Sequence, residues 1–307
     1  MSEYDGDTDE DIFDNSLGDI LEDNDYIAQE IVGEDFLDDG QGDIVVQTES
    51  VRDQVRDLFG FCPKVKQIEA IRHLIFDEKD LILIAATGYG KSLIFQVAPL
   101  MKKAGSNQIQ ICLIIMPPNQ LQEDQAEKVG HIRGANPIIL NGDSNSENTR
   151  LTIGSGIYTH VFTSPEIVLS KQFHKDILQK SSFLDKLCLI TIEELHLVAE
   201  WSSFRDQYRL LHYLRARVGL HVPLLGVSAT LDNTTLENIK PAAGFDNDVL
   251  LDRNSIDRPE IFIKINAIKY DQNSMLDLQF LLPPNITQLH DIPKIVVYMQ
   301  DVKSLQT

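Results

Sequence analysis

Residues 81 to 92 read Leu-Ile-Leu-Ile-Ala-Ala-Thr-Gly-Tyr-Gly-Lys-Ser, an apolar run that breaks into a glycine loop ending on Lys91 and Ser92. An unbroken apolar run this short fits a strand buried on both faces, and the pattern from Lys91 to Lys102 predicts a helix. Strand, glycine turn and helix in that order form the unit from which parallel α/β sheets are built. The turn is also a phosphate grip. Backbone N–H groups and the positive helix end converge there, Lys91 adds a full charge, and the Ser92 hydroxyl is a ligand for Mg²⁺. The strict pattern G-x-x-x-x-G-K-[ST] wants glycine at position 85, where Ala85 stands, so Gly88 and Gly90 must supply the freedom of the turn. The loop specifies a nucleotide and not its use.

The alternation continues downstream. Strands are expected near Gln110 to Met116, Pro137 to Leu140, His160 to Thr163, Leu187 to Ile192 and Pro223 to Val227, with amphipathic stretches between most of them. Two helical patterns, Val51 to Phe61 and Lys66 to Phe76, precede the loop, and Asp143 to Thr149 and Asn233 are expected to be polar turn material. The fold class is therefore α/β, a parallel sheet flanked by helices. A second unit is expected from Asp252, with a strand over Ile261 to Ile268, a helix over Ser274 to Leu282 and a buried strand over Lys294 to Met299. The expected organisation is a tail over 1–50, an α/β domain over 51–251 and the start of a second domain over 252–307. These last residues are fewer than the ~100 of an ordinary domain, so the chain is expected to stop within it.

The formal charge of −20 argues against nucleic acid only until it is located. Residues 1–50 hold 18 of the 47 Asp and Glu and no Lys or Arg, which leaves 29 acidic against 27 basic residues in the remainder. A one-sign block of this kind is expected to be a disordered tail, acting as a solvating segment or as a binder of a basic partner. Three scattered cysteines without a C-x-x-C pair point to a reducing compartment and give no zinc signal. With no signal-peptide pattern and no stretch of 18 apolar residues, a soluble intracellular protein without a membrane partner is expected. His131, His160, His174 and His212 lack ligand spacing and read as surface or packing residues.

The strand at Leu187 to Ile192 delivers two adjacent carboxylates, Glu193 and Glu194, at its end, with His196 two residues on. In a nucleotide-hydrolysing sheet, one acid is needed there to hold Mg²⁺ and a second to act on water. Further on, Trp201, Phe204, Arg205 and Tyr208 offer stacking and backbone contacts for single-stranded nucleic acid, or else ordinary core packing. Arg209, Arg215 and Arg217 either extend that basic character or form the solvated face of a helix.

Glu193-Glu194-Leu195-His196 resembles the D-E-A-H box of superfamily 2 helicases, and the aromatic stretch after it is similar to the loop found there in the RecQ family. Other segments arrive in the family's order. Phe59-Gly60 with Gln67 resembles its adenine-reading motif, and Ala86-Thr87-Gly88-Tyr89-Gly90-Lys91-Ser92 its phosphate loop. Pro117-Pro118 with Leu121, Asp124 and Gln125, Thr163-Ser164-Pro165-Glu166, Ser228-Ala229-Thr230, Asp257-Arg258-Pro259 and Ile295 to Tyr298 follow. The resemblance implies a RecA-like ATP-binding domain, the beginning of a second one, and an ATP- and Mg²⁺-dependent 3′-to-5′ DNA helicase that acts on single-stranded or partly duplex DNA, in the nucleus. It implies that Gln67 reads adenine, that Thr87, Gly88, Gly90, Lys91 and Ser92 hold the nucleotide, and that Ser92 and Glu193 hold Mg²⁺. Glu194 acts on water, while His196, Ser228, Ala229 and Thr230 couple hydrolysis to movement.

Three departures are visible. Glu193 stands where the family has Asp, the aromatic loop is one residue shorter and lacks the customary His, and the later motifs of the second domain are not present. A catalytically weak ATP- and nucleic-acid-binding module is therefore the competing expectation. A small-molecule kinase would leave Ser228-Ala229-Thr230 unexplained.

Overall fold

The structure, a computed structural model, describes residues 39–101, 108–117, 120–200, 211–270, 276–281 and 294–296. Strands β1 (Leu81–Ile84), β2 (Ile111–Ile115), β3 (Pro137–Leu140), β4 (His160–Thr163), β5 (Leu187–Ile192), β6 (Leu224–Ser228) and β7 (Leu250–Arg253) form one sheet in the order β3-β4-β2-β5-β6-β1-β7. Every pairing is parallel. The apolar runs are unbroken because both faces are covered. In β1, Ile82 and Ile84 pack into one core and Leu81 and Leu83 into the other, as a side-chain period of two requires.

Helices α1 (Asp39–Phe59) and α2 (Val65–Ile75) supply Val51, Val55, Ile68, Ile71 and Leu74 to the core that holds Leu81 and Leu83. On that face also runs α3 (Ser92–Val97), directly after the glycine loop. Helix α4 (Gln120–Gly130) follows β2, and α5 (Glu147–Gly154) follows β3. Short helical turns fill the stretch between Pro165 and Leu184. After β5 comes one turn of helix, α6 (Leu197–Glu200), then α7 (His212–Val218), and α8 (Asn233–Ala243) after β6. Leu214, Val218, Leu236 and Ile239 of α7 and α8 cover the opposite core.

The fold departs from expectation at five places. Residues 39–50, assigned to the tail by their charge, are the first half of α1. The helix after the glycine loop is α-helical only to Val97 and tightens into a 3-10 turn over Ala98–Leu100, because Pro99 has no N–H to continue it. Leu250–Arg253 is an edge strand of the first sheet, paired with β1, so the first unit runs to Ile256 and not to residue 251. Within the second unit, residues 261–268 form no strand, and residues 276–281 are a 3-10 helix with the Asp277 carboxylate accepting from the N–H groups of Lys269 and Tyr270. Of the stretch Lys294 to Met299, residues 294–296 carry no strand and the rest lies outside the described residues.

Arg215 is the fifth. It is 7% exposed, so it does not lie on a solvated helix face. Its guanidinium donates to Asp80 Oδ1 at 2.9 Å and to the Val222 carbonyl, while Asp80 also accepts from the N–H groups of Leu224 and Asp246. One buried carboxylate thus ties together the residue before β1, the start of β6 and the approach to β7. Burial pushes the Asp80 carboxyl up, against the opposing pull of these hydrogen bonds and of Arg215. The pair fixes the lower ends of three neighbouring strands, and the upper ends of two of them, β1 and β6, carry the candidate site together with that of β5.

Candidate nucleotide-binding site

The glycine loop leaves the carboxyl end of β1, the edge at which parallel sheets place their ligands. Gly88 and Gly90 have φ of 87° and 91°, the left-handed conformations that the missing Gly at 85 left for them to provide. At Gly90 a Cβ would lie 2.5 Å from Gln67 Nε2, so a side chain there would push that amide off the loop. Thr87, Gly88 and Gly90 are exposed at the tip and Lys91 and Ser92 are half-buried behind them.

Lys91 folds back onto its own loop, donating to the Ala85 carbonyl at 2.7 Å and the Ala86 carbonyl at 3.0 Å. Burial lowers the Lys91 pKa, opposed by the charges of Glu194 and Glu193. Gln67, 4% exposed, has both ends of its amide engaged. Its Oε1 accepts from Lys64 N at 2.8 Å, and its Nε2 donates to the carbonyls of Tyr89 and Gly90 at 3.2 Å each. Gln67 is therefore a brace of the phosphate loop in this structure.

The two acids are separated by a backbone kink. β5 ends on a bond from Glu193 N–H to Ile115 O, and two residues later Leu195 N–H reaches Val227 O, so the chain crosses from β2 to β6 at this point. Glu194 accommodates the switch with a φ of 52°, a left-handed conformation uncommon for a residue with a side chain. Gly226 makes room, since a Cβ there would lie 2.7 Å from a Leu195 methyl. Neither feature is visible in the sequence as a signal for the site.

Glu193 Oε2 is buried and has no hydrogen-bond partner among the described residues. Burial pushes the Glu193 carboxyl up to about 7, the charge of Glu194 adds to the rise, and Lys91 and Lys128 oppose it. A carboxylate oxygen so placed, on the strand next but one to the Ser92 loop, fits a divalent cation that would supply the missing counter-charge. No group of three or more His, Cys, Asp or Glu suited to a metal exists among the described residues. Mg²⁺ needs none, because it is held by one or two protein oxygens together with phosphate and water.

Glu194 and Ser228 are joined through one imidazole. His196 Nδ1 lies 3.2 Å from Glu194 Oε2 and 3.1 Å from Ser228 Oγ. Ser228 Oγ donates to Thr230 O at 3.0 Å and accepts from Thr230 N–H at 3.3 Å. With the serine proton committed to Thr230, the network assigns the imidazole proton to Nδ1, shared between carboxylate and hydroxyl. Ser228 O in turn accepts from Ala85 N–H at 3.1 Å, which ties this segment to the root of the phosphate loop. Ala229 stands between them, half-buried. The structure thus brings together Gln67, Lys91, Ser92, Glu193, Glu194, His196 and Ser228 to Thr230. Trp201, Phe204, Arg205 and Tyr208, with Arg209, lie outside the described residues. His160 is a packing residue as expected. Burial lowers it to about 4, and its Nε2 meets the Gln96 carbonyl at 3.0 Å.

A seven-stranded parallel sheet with a phosphate loop at β1, adjacent acids at β5 and a serine link at β6 defines a RecA-like domain. Residues 64–239 match the model of the DEAD/DEAH box helicase family, and the chain belongs to that family. Its relatives are of RecQ type. It is 29% identical over 204 residues to the mouse bifunctional 3′-5′ exonuclease/ATP-dependent helicase WRN, covering 66% of this chain and 14% of the relative. It is 26% identical over 199 residues to the ATP-dependent DNA helicase RecQ of Haemophilus influenzae, covering 64% of this chain and 30% of the relative. The chain thus spans less than a third of either. Among solved structures, the fold is shared with the helicase MrfA bound to DNA and AMPPNP, at TM-score 0.53 and 18% identity over 67% of this chain and 29% of that one. It is shared also with the helicase domain of Pyrococcus furiosus Hef, at TM-score 0.50 and 18% identity over 67% of this chain and 40% of that one.

Proposed function

We propose that the chain is the ATP-binding part of a RecQ-type, 3′-to-5′ DNA helicase, with Mg²⁺-ATP held at the glycine loop and single-stranded DNA as the activating partner. The observation that carries this reading is the continuous path from the phosphate lysine to Ser228. Lys91 sits within the field of both acids, Glu194 is joined to Ser228 through His196, and Ser228 is bonded to the loop that carries Lys91. Phosphoryl transfer is mostly positioning and charge neutralisation, and each element has a part in it.

When bound, Mg²⁺ would neutralise phosphate charge, with Ser92 and Glu193 as its protein oxygens. Lys91 exchanges its two loop carbonyls for phosphate oxygens. Glu194 orients and deprotonates the attacking water, and the imidazole fixes the direction of its carboxylate. Thr87, Gly88 and Gly90 shape the loop, and Gln67 braces it and would have to exchange its bonds to the Tyr89 and Gly90 carbonyls to read the base. Movement of Ser228 to Thr230 accompanies hydrolysis. Trp201, Phe204, Arg205 and Tyr208 are the proposed stacking and backbone contacts to DNA.

One observation favours a second reading, a binding module with little turnover. Glu193 stands where the family has Asp, so its carboxylate sits one methylene further along the side chain than the family's cation ligand. Steady-state ATP hydrolysis with and without single-stranded DNA separates the two. DNA-stimulated turnover that is lost in Lys91→Ala supports the motor, ATP binding without turnover supports the module, and undiminished turnover in Lys91→Ala overturns both.

A further inference from the structure

Two glutamines lie behind the phosphate loop that no step above uses. Gln125, on α4, is 8% exposed, and Gln96 lies on α3 one helical turn beyond Ser92. Gln96 Nε2 donates to Gln125 Oε1 at 3.2 Å, and Gln125 Nε2 points to Ser92 Oγ at 3.5 Å, a long hydrogen bond. The far side of the arrangement is fixed. The Gln96 carbonyl accepts from His160 Nε2 at 3.0 Å, His160 Nδ1 meets Thr159 Oγ1 at 2.8 Å, and Thr159 Oγ1 accepts from Asn136 N–H at 2.7 Å. On α4, Gln122 Nε2 donates to the Met116 carbonyl at 3.2 Å, which pins the helix to the end of β2.

A buried amide is retained only where its hydrogen bonds are made, and an apolar residue would fill the space between α3 and α4 at no such cost. What this pair does that an apolar pair would not is to restrict the Ser92 hydroxyl. A serine side chain at the mouth of a loop has three staggered positions open to it, and a cation ligand must be held in one. We propose that Gln125, braced by Gln96, is a positioning residue for the metal-binding hydroxyl of Ser92, so that α4 sets how well the loop holds Mg²⁺. The inference rests on the nucleotide-binding reading given above. Displacing this one helix would therefore alter the proposed serine ligand of the cation.

The test is the affinity of the whole chain for ATP carrying a methylanthraniloyl fluorophore, measured in Mg²⁺ and again in EDTA. The variants are Gln125→Leu, Gln96→Met, Ser92→Ala and the double Ser92→Ala/Gln125→Leu. Losing a positioning hydrogen bond should weaken binding about three- to tenfold in Mg²⁺ for Gln125→Leu, somewhat less for Gln96→Met, with affinity in EDTA held within about twofold. On the Ser92→Ala background Gln125→Leu should add nothing, because the group it positions is gone. Should the leucine variant fail to fold, Gln125→Asn, which withdraws the amide by one methylene, is read in the same way. Equal losses in Mg²⁺ and EDTA, full additivity with Ser92→Ala, or no loss at all would each overturn the proposal. A parent chain that binds no nucleotide would overturn the underlying reading as well, and is distinguishable because every variant would then be silent.

Discussion

Replacing Glu193 by Gln should stabilise the metal-free protein, and do so more as pH rises. The Glu193 carboxyl moves from an ordinary value of 4.5 to about 7, chiefly through burial, with Glu194 adding to the rise and Lys91 and Lys128 opposing it. Between those two values the folded protein holds a proton that the unfolded chain has released, so stability falls as pH rises through this window. Each tenfold change in proton affinity is worth about 1.4 kcal/mol, which sets an upper limit of about 3 kcal/mol. Solvent relaxation around a partly exposed group reduces this to about 1–3 kcal/mol. For a domain of this size the gap in Tm between Glu193→Gln and the parent should widen by roughly 3–8 °C between pH 5 and pH 8 and level off above pH 7. Thermal unfolding in EDTA across that range is the assay. Adding Mg²⁺ at pH 8 should then raise the parent and leave the variant in place. A gap that stays constant with pH would refute the reasoning, because it would mean that Glu193 is solvated like any surface acid.

Other perturbations probe separate parts. Arg215→Ala should cost about 3–5 kcal/mol in denaturant unfolding, since it leaves the Asp80 carboxylate buried without its partner. Ser228→Ala should keep ATP affinity but lower DNA-stimulated hydrolysis about tenfold, as the imidazole loses the hydroxyl that shares its proton, and the ratio of rates with and without DNA reads this directly. Deleting residues 1–50 should lower stability by about 1–2 kcal/mol, because it leaves Val51 and Val55 on a helix of fewer than three turns. Unchanged unfolding on that deletion would show that residues 39–50 add nothing to α1.

The parts of the fold that were legible in the sequence are those in which side-chain pattern and burial coincide. β4 and β5 are buried almost throughout and bounded by turn residues, and their ends fall where the pattern ends. β7 was not legible, since Leu250 and Leu251 are 45% and 37% exposed at a sheet edge and are followed by Asp252 and Arg253. Arg215 shares its helix with Arg217, which is exposed, and only the long-range approach of Asp80 distinguishes them. The alternation of Ile261 to Ile268 has a strand's period, yet Phe262, Ile263 and Ile265 are 80% exposed or more and pair with nothing among the described residues. At the site, Lys91, Ser92 and the two acids carry charge or ligand chemistry in a readable order. Gly226 and the left-handed Glu194 act through contacts between strands far apart in sequence, which no local pattern encodes, and Gln125, although part of the segment named after β2, shows its approach to Ser92 only in the fold.

The central claim is that Ser92 and Glu193 flank a cation that the glycine loop shares with a polyphosphate. A crystal structure of the chain grown with Mn²⁺ and a non-hydrolysable ATP analogue, with anomalous data at the manganese edge, tests it most directly. An anomalous peak is expected between Ser92 and Glu193, with Lys91 released from the Ala85 and Ala86 carbonyls and turned to the phosphates. A manganese bound away from both side chains, or a phosphate chain lying outside residues 86–92, would contradict it.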